Sequence, residues 1–182
     1  MGFGRVLWTG LVGMIFLALT SWISFQFLDL TSSITGGLIQ NLNVALNSLG
    51  LPPIIAIPLG ALMGLVLILI FPIHWCLTYH PDDVILLISV TLPWILSCSM
   101  ICAINAKTPG KGIRTSLAIG IGYLITALVI YFILSRDPFV GPIIDGLIAG
   151  LTDLHYIFAV STAILEGCLV GAVFGGFIGA LK

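Results

Sequence analysis

The chain has 182 residues, 59% of them hydrophobic and 7% charged, with a net charge of -1 and a mean hydropathy of +1.24. A soluble domain carries about 25% charged residues, so this composition cannot furnish a water-facing surface, and a soluble enzyme is excluded. No basic run exists to neutralise phosphates, so no nucleic-acid partner is expected.

Helices satisfy their own backbone hydrogen bonds in lipid. The expected fold is therefore all-α, a polytopic transmembrane helix bundle forming one integral membrane domain over residues 1–182. A span needs about 20 mostly apolar residues, and five stretches meet that length: 6–28, 53–73, 84–106, 115–135 and 156–181.

The first stretch follows Arg5 and runs to Leu28 without a small-x-small cleavage site, so it reads as a retained helix. Val6 stands where a myristoylation signal needs Ser or Thr. In 31–50, Ile34, Leu38, Leu42, Ala45 and Leu49 share a face, while Gln40, Asn41, Asn43 and Asn47 make the segment too polar for an easy span. It is expected to be interfacial or re-entrant, or to supply a sixth span.

The second stretch, 53–73, contains Pro58 and Pro72, and prolines remove helix hydrogen bonds. Breaks of this kind line binding sites in transporters. His74, His80, Asp82 and Asp83 follow. Imidazole and carboxylate are transition-metal ligands, yet the spacing matches no zinc pattern, and His80-Pro-Asp-Asp also reads as a turn whose acids cap the next helix. The 84–106 stretch carries Pro93, Trp94 and the pair Cys98-x3-Cys102, which is best read as packing.

After the loop 107–114 and the span 115–135, residues 143–154 form a short amphipathic segment flanked by Asp145 and Asp153. The last stretch holds two features. Glu166 lies about ten residues into it, near the bilayer centre, where a charged side chain costs about 2.5 kcal/mol or more. It must be protonated, paired or facing a polar cavity. Gly167, Gly171, Gly175 and Gly179 follow at a spacing of four, a helix-packing interface of the small-xxx-small type, either within the chain or against another. Asp145, Asp153 and Glu166 together are candidate ion- or substrate-binding residues, with helix capping as the alternative for the two aspartates.

The order helix, amphipathic segment, helix occurs in 6–73 and again in 115–181. The echo of Gly36-Gly-Leu-Ile39 in Asp145-Gly-Leu-Ile148 suggests a pair of inverted units. Positive charge marks the cytoplasmic side. Five spans favour an outside N-terminus, whereas six spans with an inside N-terminus gather Arg5, Lys107, Lys111, Arg114 and Lys182 on one side. In both, loop 107–114 is cytoplasmic.

No nucleotide loop, nucleophile elbow or metalloprotease motif is present, and no cofactor is expected. These readings lead to a small multi-pass membrane transport protein, or transport subunit, for an ion or small molecule with an intramembrane carboxylate site. The alternative is a non-catalytic subunit that anchors or assembles a larger membrane complex. Expected partners are the lipid bilayer and either further copies or other membrane subunits. An intramembrane enzyme ranks third, since no constellation separates catalytic residues from caps.

Overall fold

The computed structural model describes residues 3–28, 52–105, 107–134 and 155–181, together with a few isolated positions between them. The architecture is all-helical. Six helices occur among the described residues: α1 (Phe3–Leu28), α2 (Pro53–Ile70), α3 (Ile73–Tyr79), α4 (Val84–Asn105), α5 (Pro109–Leu134) and α6 (Tyr156–Ala180). Four of them, α1, α4, α5 and α6, are long and apolar enough to cross a membrane, and the bent pair α2/α3 makes five if it counts as one span. All five apolar stretches of the sequence thus fall on helices, the second of them, 53–73, interrupted at Phe71-Pro72. Asp145, Asp153 and most of segment 31–50 lie outside the described residues, as does the echo at 36–39 and 145–148 apart from Gly146.

The exterior of the bundle is apolar. Trp8, Phe27, Ile104, Leu169 and Val173 are each more than 60% exposed, and such a surface is compatible with a solvent of acyl chains rather than water. The interior is built around Leu17, Phe25, Ile68, Phe71, Trp94 and Ile164.

Small residues set the helix directions. On α6, a Cβ at Gly167 would strike Trp94, one at Gly171 would strike Cys98, and one at Gly175 would fall 2.9 Å from Cys102 Sγ. Trp94, Cys98 and Cys102 are themselves four apart on α4. The α4 teeth therefore drop into the α6 glycine groove in rising order, and the two helices are parallel. Against α5 the order reverses: Gly175 faces Ser116 and Gly112, Cys168 faces Gly120, and Tyr156 stacks on Tyr131 at 5.4 Å. The stripe read from the sequence is an internal seam.

The α1–α4 contact is antiparallel and polar. Proline at 93 has no N–H, so the Ser89 carbonyl, four residues back, loses its helix donor. Ser24 Oγ on α1 donates to that carbonyl at 3.2 Å. Thr20 Oγ1 approaches the Pro93 carbonyl at 3.3 Å, and Ser97 Oγ donates to the Gly13 carbonyl at 3.1 Å. Gly10 and Gly13 meet Ala118 and Ile119, and Tyr123 donates to the Met14 carbonyl at 2.5 Å, so α1 and α5 are parallel.

Two consequences follow from these directions. The first helices of the two proposed repeat units, α1 and α5, point the same way, so the units are not related by inversion. The start of α1, the α4–α5 loop and the end of α6 share one end of the bundle. Of the two orientations weighed from the sequence, the directions agree with the one that puts Arg5, Lys107, Lys111 and Arg114 together. The ends of α1 and α5 and the starts of α4 and α6 share the other. Asp82 and Asp83 lie at that second end, and Asp29, Asp137 and Asp153 are each within three residues in sequence of a helix terminus there. Among the described residues, Lys107, Lys111 and Arg114 thus lie at the first end, and Asp82 and Asp83, with Arg136, at the second.

Candidate functional site

The approach of α2 to α3 is broken at Phe71-Pro72 by a bend of 64°. Pro72 is the N-cap of α3, in extended backbone, and offers no side-chain cap. The first N–H groups of any helix lack partners within it, and in an apolar interior each unmet group is costly. His74 is the second residue of α3, so its N–H is one of these orphans.

Glu166 meets it. The His74 N–H donates to Glu166 Oε2 at 3.0 Å, and the His74 ring Nδ1 lies 2.6 Å from Oε1. Both carboxylate oxygens are engaged by one residue, 92 positions away in sequence. The contact is an ion pair when the imidazole is protonated.

The position is central. Glu166 lies ten residues into α6, roughly 15 Å from its start and 21 Å from its end at 1.5 Å per residue. The expectation of a paired carboxyl near mid-helix thus corresponds to a specific partner. The side chain of Glu166 is 23% exposed and that of His74 48%. The dyad therefore sits at the edge of the bundle, on a surface that is otherwise hydrocarbon. From there α3 leads to the acidic end, where Tyr79, His80, Pro81, Asp82, Asp83, Val84 and Ile85 line a groove of about 450 Å³.

The other candidates disperse. His80 packs its ring on Trp75 at 4.7 Å. Asp83 caps α4, its Oδ1 accepting from the Leu86 N–H at 2.9 Å, as the capping alternative anticipates. With His74 turned to Glu166, the four residues 74, 80, 82 and 83 do not converge, and among the described residues no three His, Cys, Asp or Glu side chains gather as metal ligands. All four cysteines are buried, unpaired thiols.

On the inner side of α6, next to Glu166, Gly167 lies against the indole of Trp94. Trp94 is fully buried, and its Nε1 donor has no hydrogen-bond partner among the described residues. Glu166 thus projects from a tightly packed turn while its own side chain reaches α3. Sequence reasoning singled out Glu166 by the cost of a buried acid and named His74 only as a metal ligand. The signal that links them is Pro72: a proline two residues before His74 frees an N–H at the level of an intramembrane carboxylate. Comparison with known proteins yields no matching family model, no matching curated protein and no matching solved structure.

Proposed function

We propose that this chain is a multi-pass membrane protein that moves an ion or small molecule across the bilayer at a site centred on Glu166. The observation that carries this reading is the bidentate contact of Glu166 with His74. A carboxyl at mid-helix is an expensive feature, here joined to a proline-broken helix, and broken helices at the bilayer midplane form the sites of many transporters. Basic residues favour the cytoplasmic side, so the end with Lys107, Lys111 and Arg114 is assigned there.

The reading of an assembling subunit drew mainly on the glycine stripe. Those glycines are filled by Trp94, Cys98, Cys102, Ser116 and Thr108 of the same chain, which favours transport over docking as the use of α6.

The test is electrical. Wild type and Glu166→Gln, reconstituted in liposomes on a solid-supported membrane, are exposed to steps of pH, Na⁺ and K⁺. Wild type gives a transient current to at least one step, and Glu166→Gln reduces it at least tenfold while keeping its helical circular dichroism. Native mass spectrometry of the detergent-solubilised protein runs alongside. A silent wild type that retains unlike chains establishes the subunit reading in place of transport.

A further inference from the structure

We propose that the species handled at the Glu166–His74 dyad is the proton, taken up from the acidic end of the bundle. This rests on the transport reading and narrows it to one ion.

The donor set carries the first part of the argument. Hard metal cations take six or more oxygen ligands. Glu166 contributes two oxygens, and both already accept from or face nitrogen atoms of His74. Neither α2 nor α4 contains an Asp, Glu, Lys, Arg or His, so the helices beside the dyad add no charged ligand. The titratable groups on its approach are Cys76, Tyr79 and His80 of α3 and its cap, followed by Asp82 and Asp83 in the turn. One carboxylate already engaged at both oxygens is a poor start for a cation cage, which would need most of its ligands from neutral oxygens. A proton needs only one acceptor and one carrier, and a carboxylate 2.6 Å from an imidazole nitrogen supplies both.

The geometry defines the step. With the proton of neutral His74 on Nδ1, that N–H donates to Oε1 of the ionised carboxylate. Nε2, on the far side of a ring that is half exposed, has no hydrogen-bond partner among the described residues. An incoming proton forms an N–H bond at Nε2. The Nδ1–H bond then breaks as its proton passes to Oε1, leaving Glu166 neutral and His74 in the other neutral tautomer. The dyad has gained one proton and one unit of charge, and no heavy-atom bond changes. In the reset the Oε1–H bond breaks and that proton leaves, while the half-exposed ring loses its proton from Nε2 to water and gains one from water at Nδ1, which restores the starting state with one proton passed on. The backbone N–H of His74 holds Oε2 throughout, so the carboxyl stays in register with the ring.

Direction follows from the charge pattern. The acidic end, with Asp82 beside the groove at Tyr79–Ile85, draws cations and raises their local concentration. The opposite end, with Lys107, Lys111 and Arg114, repels them. The short helix α3 connects the acidic turn to the dyad.

The experiment uses full-length protein in liposomes loaded with the pH dye pyranine, with a K⁺ gradient and valinomycin to impose a potential. It is run in Na⁺-free choline buffer and again with 100 mM-scale NaCl, on wild type, Glu166→Gln, His74→Gln and Asp82→Asn. The proposal expects proton uptake in wild type without Na⁺, a loss of at least tenfold in Glu166→Gln and His74→Gln, and a two- to fivefold slowing in Asp82→Asn that added salt abolishes. His74→Gln keeps the backbone N–H, and its thermal midpoint within a few degrees of wild type shows that the fold is intact. Ion flux that requires Na⁺ and moves no protons overturns the proton assignment while leaving transport standing. Proton flux unchanged in His74→Gln also overturns it. No flux of any ion in wild type overturns the transport reading and this inference with it.

Discussion

Proline 93 shows how one side chain on a neighbouring helix compensates a defect in another. The Ser89 carbonyl has lost its helix donor, and Ser24 Oγ supplies one at 3.2 Å. Such bonds between membrane helices contribute about 0.6 kcal/mol on average and up to about 1.7. Ser24→Ala is therefore expected to lower stability by roughly 1 kcal/mol, the upper part of that range, since the carbonyl is left unmet. Pro93→Ala restores the helix donor, so in that background Ser24→Ala costs less than half as much. A double-mutant cycle on unfolding in mixed micelles measures the coupling; additive effects would show that Ser24 does not serve the carbonyl. Pro93 was legible in the sequence as a kink, and Glu166 was legible by its cost. Their partners, Ser24 and the His74 N–H, were not, because a hydroxyl or a backbone donor leaves no trace of which distant carbonyl or carboxyl it will meet.

At the scale of elements, two stripes of period four interlock: Trp94, Cys98 and Cys102 on α4, and Gly167, Gly171 and Gly175 on α6. The glycine spacing predicts close approach, and the spacing of the two cysteines predicts packing. The pairing of the two stripes was readable in principle, since both repeat every four residues. What the sequence lacks is the helix direction, which decides whether teeth and gaps coincide. The closest approach lies elsewhere, where a Cβ on Gly112 of α5 would strike the backbone carbonyl of Gly175. A side chain can rotate away, but a carbonyl in a helix cannot. Gly112→Ala should thus destabilise by about 1–3 kcal/mol, the usual cost of overpacking. Gly171→Ala meets the movable Cys98 Sγ, so a Cys98→Ala replacement should recover most of its loss. Thermal unfolding in detergent followed by circular dichroism distinguishes the two cases; equal losses in both, without recovery, would refute the distinction.

For the whole molecule, composition alone established an all-helical apolar bundle, and the five stretches were located from length and hydropathy. The sequence left open which helix ends share a side, because that depends on contacts between residues far apart in the chain. Those contacts put the start of α1, the α4–α5 loop and the end of α6 together. Cysteines placed at Gly4, Lys107 and Leu181 should therefore react with a membrane-impermeant maleimide from one face of sealed vesicles, and a cysteine at Asp82 from the other. The native thiols are buried, so the background should be low. Labelling of Gly4→Cys and Lys107→Cys from opposite faces would contradict the parallel packing of α1 and α5.

The break at Phe71-Pro72 ties two distant positions to a common history. With a residue other than proline at 72, the helix can run on, the His74 N–H returns to the Ile70 carbonyl, and the carboxyl at 166 loses its partner in a place where it is costly. With leucine at 166, the break exposes a donor that nothing meets. Neither change is tolerable alone, so among diverged descendants of this chain Pro72 and Glu166 are expected to be inherited or lost as a pair.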